Sequence, residues 1–128
     1  MSKKRKFLHC KRCGNIVDII DDKGGSIVCC GAEMTEITAN TVEANNEKHL
    51  PEVTVLGDIV SAQVGSILHP MDEEHYIQFI YVETEFGGQY KYLKPGDSPS
   101  AEFGLVSDRP VAVYEYCNLH GLWKTEVK

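Results

Sequence analysis

Val111-Ala112-Val113-Tyr114-Glu115-Tyr116-Cys117-Asn118-Leu119-His120-Gly121-Leu122-Trp123 opens as a β-branched and aromatic run and closes in a tight, glycine-containing turn. The run predicts a strand, and the turn sets a soft thiolate, Cys117, and an imidazole, His120, three residues apart at its end. Donors of that kind at that spacing read as ligands for one metal ion rather than as half of a disulfide.

Upstream, the chain alternates like a β protein. Val53-Thr54-Val55, Val60-Ser61-Ala62-Gln63-Val64, Ile77-Gln78-Phe79-Ile80-Tyr81-Val82, Tyr90-Lys91-Tyr92 and Glu102-Phe103-Gly104-Leu105 are short and rich in β-branched or aromatic residues. Turn signals separate them at Gly57-Asp58, Gly87-Gly88, Pro95-Gly96-Asp97 and Asp108-Arg109-Pro110. No segment carries a sustained helical period. About seven such strands within residues 39–128 predict an all-β domain, a two-sheet antiparallel sandwich of immunoglobulin-like kind. A sandwich gathers its loops at its ends, where residues distant in sequence meet. His49, His69 and His75 all fall at strand boundaries or in loops on this reading. Pro51 keeps Leu50 out of helix and predicts an extended entry to the domain, and the polar stretch Thr38 to Asn46 reads as a linker.

Residues 1–38 form a separate small module. Cys10-Lys11-Arg12-Cys13-Gly14-Asn15 is a Cys-x-x-Cys knuckle, and after fifteen intervening residues Cys29-Cys30 offers a second pair. Together they make a four-thiolate site suited to Zn or a single Fe. Adjacent cysteines point apart and must distort the backbone to share an ion, which departs from the usual zinc ribbon. His9 is expected to stay outside this site, since four thiolates complete a tetrahedron. Ile16-Val17-Asp18-Ile19-Ile20 and Ser26-Ile27-Val28 read as a strand and its return around the turn Asp21-Asp22-Lys23-Gly24-Gly25. So short a module builds little core, and its metal must supply much of its stability.

Composition bounds the function. With 42% hydrophobic residues the larger domain can bury a core, and no apolar run nears the roughly 20 residues of a membrane span. Lys3-Lys4-Arg5-Lys6 reads as a solvated tail with no signal-peptide apolar region after it. Five cysteines, four of them between Cys10 and Cys30, suit ligation in a reducing compartment, so the cytoplasm is expected. Residues 1–40 hold seven Lys/Arg against five Asp/Glu, and residues 41–128 hold six against fourteen. An acidic domain of this kind argues against a nucleic-acid surface.

If His49, His69, His75, His120 and Cys117 converge, four imidazoles fill a square plane, one thiolate binds axially, and one position stays open. That set is wrong for a closed structural Zn site and fits redox-active iron. The open position then faces Glu47 and Lys48, neighbours of His49.

The quoted cysteine pairs, Glu47-Lys48-His49-Leu50-Pro51, His69-Pro70-Met71 with His75-Tyr76-Ile77, and Cys117-Asn118-Leu119-His120-Gly121-Leu122-Trp123 resemble desulfoferrodoxin, the two-iron superoxide reductase family, across essentially the whole chain. Leu50 stands where another aliphatic residue is common. The resemblance implies a desulforedoxin- or rubredoxin-like FeS4 centre at Cys10, Cys13, Cys29 and Cys30. It also implies a catalytic iron held by His49, His69, His75 and His120 with Cys117 axial. The activity implied is one-electron reduction of superoxide to hydrogen peroxide without release of oxygen, with rubredoxin or a similar small protein as donor and a homodimeric assembly. Lys48 is expected to steer superoxide and organise protonating water, and Glu47 to occupy the emptied site. The first iron either relays electrons or staples the module. Rival readings are a zinc-ribbon adaptor on a β-sandwich, which would be colourless, a superoxide dismutase, which would release oxygen, and an electron carrier using the four cysteines alone.

Overall fold

The computed structural model describes residues 5–40 and 46–127, with the backbone alone at 46 and 47. Of the expected linker, residues 41–45 lie outside this range. Two compact units meet at Thr38 and Ala39.

In the smaller unit β1 (Phe7–His9) lies between β2 (Ile16–Asp18) and β5 (Thr35–Ile37), antiparallel to both, with Phe7 opposite Asp18 and Ile37. A separate hairpin joins β3 (Val28–Cys29) to β4 (Ala32–Glu33). Its only buried residues among those described are Phe7, Leu8 and Cys10, while Ile20 and Val28 are exposed. Burial of a few apolar side chains at about 1.5–3 kcal/mol each does not offset the ordering of the chain, which leaves stability to the metal. Three expectations need correction. The strand at Ile16 ends at Asp18, and one further in-register bond, from the Ile19 N–H to Lys6 O at 3.0 Å, closes the pairing. Ser26-Ile27-Val28 is no return strand; the chain becomes extended only at Val28 and pairs within its own hairpin. Nor are Arg5 and Lys6 a solvated tail, since they reach Asp18 and Asp22 at 3.3 and 3.2 Å; Lys3 and Lys4 lie outside the described residues.

The larger unit begins with a single helical turn, α1 (Asn46–His49), which stops before Leu50 and Pro51 as proline sterics require. Seven strands follow: β6 (Pro51–Leu56), β7 (Ile59–Val64), β8 (Ile77–Thr84), β9 (Gly87–Tyr92), β10 (Ser100–Gly104), β11 (Pro110–Cys117) and β12 (Gly121–Glu126). They form two antiparallel sheets, β10-β7-β6 and β12-β11-β8-β9. Period-2 alternation turns Val60, Ala62 and Val64 inward from one sheet to meet Ile80, Val82, Val113 and Cys117 from the other; Ile77 joins them through the register shift at Gln78, and Phe103 and Leu105 complete the core. This is the expected all-β sandwich. No helix among the described residues is long and apolar enough to cross a membrane.

Gly87-Gly88, expected as a turn, instead opens β9. The chain reverses one step earlier, where the Asp108 carboxylate accepts the Thr84 hydroxyl at 2.6 Å and the Phe86 N–H at 3.1 Å. Gly88 has a packing role: a Cβ there would collide with the Tyr81 ring hydroxyl. Similarly, Pro110 belongs to β11, and the bend lies at Val106 and Ser107, with Ser107 at φ 50°. Antiparallel pairing brings the start of β6, the end of β7, the start of β8 and the β11–β12 turn to one pole. There the Gly65 N–H donates to Leu50 O and the His69 N–H to Val64 O, each at 3.2 Å.

Two candidate metal centres

The four cysteines of the smaller unit come together through a knuckle. Gly14, at φ 86°, donates its N–H to Cys10 O, and the Cys10 N–H returns to Asn15 O, each at 2.9 Å. The vicinal pair shows the distortion its spacing demands, with Cys30 at φ 55° followed by Gly31 at 77°. All four Sγ atoms lie within 4.8 Å of one another. Cys13 to Cys29 is 3.6 Å and Cys29 to Cys30 is 4.0 Å. Four sulfurs at about 2.3 Å from one tetrahedral ion stand ~3.8 Å apart, so these gaps are those of ligands. The Cys13 N–H, 3.5 Å from Cys10 Sγ, is the main reason that thiol is held down to about 6. Cys29 is raised and Cys30 is pushed up to about 12, chiefly by sharing hydrogen bonds with Cys13 and then Cys10. Four crowded thiols ionise together only around a cation.

At the pole of the sandwich, His49 ends α1, His69 and His75 lie in the connection from β7 to β8, Cys117 ends β11, and His120 sits in the turn to β12. The imidazoles make a closed circuit. Centroids are 4.8 Å apart from His49 to His69, 4.7 Å from His69 to His75, 5.1 Å from His75 to His120 and 4.7 Å from His120 to His49. Successive rings stand at 74 to 87°. His49 Nε2 lies 3.3 Å from His69 Nε2 and 3.0 Å from His120 Nδ1. Adjacent nitrogens at about 2.1 Å from one ion would be ~3.0 Å apart. Cys117 Sγ is fully buried, within 4.8 Å of the ligand nitrogens of His49, His69 and His75 and 3.9 Å from His120 Nδ1.

The donor chemistry fits a metal. His75 Nε2 is buried without a hydrogen-bond partner among the described residues. His69 Nδ1–H donates to Pro70 O at 2.7 Å, which leaves the Nε2 lone pair facing the cluster. Burial first, then neighbouring imidazoles, holds His69 down to about 4, and His75 is lowered by burial and then by His120. Both are neutral, as ligation requires. Cys117 is raised by burial, against which the Leu119 and His120 amides act; a cation reverses that balance. An extra residue in β8, Gln78, puts Ile77 opposite Cys117 and keeps Ile77 packed against the inward thiol.

Lys48 is half-buried in the last turn of α1, and its charge contributes to lowering His75. The side chain of Glu47 lies outside the described residues. Beyond the expected residues, Trp123 stacks on His49 at 5.0 Å and 25°, and its Nε1–H donates to His120 O at 3.1 Å. Asn118 ties the two loops together. Both stood inside the quoted motif, yet their partners are not readable from it. Glu115 is also fully buried, with both carboxylate oxygens unpartnered among the described residues, and burial pushes its carboxyl well above the ordinary range. The alternation that turns Val113 and Cys117 inward is the signal that places Glu115 beside them. An open groove of about 830 Å³ lined by Glu52, Thr54, Gln63, Lys91, Tyr92 and Glu102 holds none of these residues.

Family models for desulfoferrodoxin match residues 41–126, and for its N-terminal domain residues 2–37. A desulfoferrodoxin from Syntrophotalea carbinolica is 43% identical over 126 residues, covering 98% of this chain and 99% of the relative. A superoxide reductase from Pyrococcus horikoshii is 33% identical over 114 residues, covering 74% and 98%. Among solved structures, the superoxide reductase from Treponema pallidum superposes with a TM-score of 0.82 at 34% identity, covering 97% of this chain and all of that one. Matches of this extent, over both units and both ligand clusters, establish that the chain belongs to the desulfoferrodoxin family.

Proposed function

We propose that this chain is a superoxide reductase with two iron centres, one at Cys10, Cys13, Cys29 and Cys30 and the catalytic one at His49, His69, His75, His120 and Cys117. The observation that carries this reading is the closed circuit of four imidazoles with a buried thiol against it. Ferrous iron held by those five residues would supply the one electron the reaction needs. With that electron and two protons, superoxide becomes hydrogen peroxide, and no oxygen is released.

The chain's own residues do the rest. Its formal charge of −6 repels an anion at long range, so the Lys48 ammonium beside the circuit is needed to draw superoxide inward over the last few ångströms. Lys48 would also hold the water that delivers protons, and Glu47 would be the carboxylate that caps the site between turnovers. Pro70 O keeps His69 in the tautomer that ligates, while the Trp123 ring packs against His49 and excludes water from that face.

Residues 1–38 and 39–128 act as separate domains on this reading. The chain works as a homodimer in the cytoplasm, drawing electrons from rubredoxin or a similar small donor, and binds neither nucleic acid nor membrane. Cysteine use supports the compartment, the acidic larger domain argues against nucleic acid, and family resemblance supports the donor and the dimer. Metal analysis with visible spectra before and after oxidation tests the whole proposal: two irons per chain and two separable coloured species are expected. Oxygen release on reaction with superoxide would identify a dismutase instead, and a colourless zinc protein would overturn the redox reading.

A further inference from the structure

We infer that Asn118 is a positioning residue whose side-chain amide locks the His75 loop onto the Cys117–His120 turn, setting where the His75 ring stands relative to Cys117. This rests on the functional reading above.

The ladder between β8 and β11 ends at Ile77 opposite Cys117. Beyond it Asn118 continues the pairing with its side chain. Its Oδ1 accepts the Tyr76 N–H at 2.9 Å, its Nδ2–H donates to Glu74 O at 3.0 Å, and its own backbone N–H donates to Tyr76 O at 3.2 Å. His75 lies between the two residues so held. On its other side, its N–H and C=O are exchanged with Asp72 at 3.1 and 2.9 Å. The His75 peptide is therefore gripped from both directions, while its buried Nε2 has, among the described residues, no hydrogen-bond partner that would compete with an ion.

The chemistry selects asparagine. The clamp needs an acceptor and a donor on one short planar group. Aspartate retains the bond from Tyr76 N–H but cannot donate to Glu74 O, and it adds a negative charge near the Cys117 thiolate. Glutamine carries the same groups one methylene too far, and alanine has neither. Asn118 acts through His75 and Cys117, as groups outside the ligand shell commonly do.

The test uses the full chain loaded with ferrous iron. Anaerobic competition with a ferrous chelator measures retention of the iron at the histidine and cysteine site, and the visible thiolate-to-iron band is recorded after oxidation. Asn118→Ala is expected to weaken that iron by about tenfold or more and to shift or broaden the band, with the four-cysteine iron unchanged. Asn118→Asp, which keeps half of the clamp, is expected to fall between Asn118→Ala and the parent, and it carries the test if Asn118→Ala does not fold. Unaltered iron retention with an unaltered band would overturn the inference. So would a lowered melting temperature of the metal-free protein without weaker iron binding, because that is ordinary loop stabilisation. A parent chain that holds no iron at this site refutes the functional reading itself, a result distinct from any difference between variants.

Discussion

Replacing Lys48 by alanine separates long-range repulsion from local attraction. Lys48 sits in the last turn of α1, directly before the ligand His49, and its charge is felt at His75. A lysine side chain reaches about 6–7 Å, and two unit charges about 7 Å apart interact by ~0.6 kcal/mol in water and ~1.2 kcal/mol at half that dielectric constant. Loss of that attraction corresponds to a rate roughly three- to eightfold slower at low ionic strength. Salt at about 0.1 M, where the Debye length is ~10 Å, removes part of the difference, and molar salt removes nearly all of it. Superoxide generated by a radiolysis pulse and followed by its absorbance, across a series of salt concentrations, measures the second-order rate. The parent rate should fall with salt, the variant's should depend on it less, and Lys48→Arg should resemble the parent. Iron content must stay constant throughout. Equal rates for parent and Lys48→Ala at low salt refute the steering argument.

Other consequences are open to measurement. Cys13→Ser removes one vertex of the sulfur tetrahedron, so the four-cysteine iron and its colour should be lost while the other iron remains; unchanged turnover with a reductant would then reject an obligatory relay, and loss of both irons would contradict independent sites. Gly88→Ala pushes a methyl into the Tyr81 hydroxyl and should cost about 1–3 kcal/mol in urea unfolding; no change would mean that Tyr81 repacks freely. Asp108 is held below its usual carboxylate range, first by the Thr84 hydroxyl and also by the Arg109, Phe86 and Glu85 amides. A depressed folded pKa contributes stability above the unfolded value that is lost as pH falls through the folded one. The destabilisation of Asp108→Asn should therefore be evident at about pH 6 and shrink by about pH 3; a pH-independent difference would exclude that linkage.

Much of the architecture is legible in local patterns. Val60-Ser61-Ala62-Gln63-Val64 alternates because one face of it is to be buried, Val111 to Tyr116 reads as a strand from its β-branched and aromatic content, and Gly57-Asp58 and Pro95-Gly96-Asp97 bound their strands as turn chemistry demands. The nine donors are legible as well, since soft sulfur and imidazole groups cluster in short motifs with few other uses. Less visible are β1, β4 and β5, whose two or three residues are too short to display a period. β12 escapes notice because its opening residues Gly121, Leu122 and Trp123 read first as part of a ligand motif.

Composition and spacing by themselves determined which atoms can hold metal and that a β-sandwich would carry the larger set. Tertiary structure alone decided the order of imidazoles around the circuit, the stacking of Trp123 on His49 and the grip of Asn118 on the His75 loop. Those contacts join residues as many as 74 positions apart, as where Trp123 stacks on His49. They depend on strand register, where a shift of one residue turns a side chain to the opposite face, and no local pattern encodes that choice.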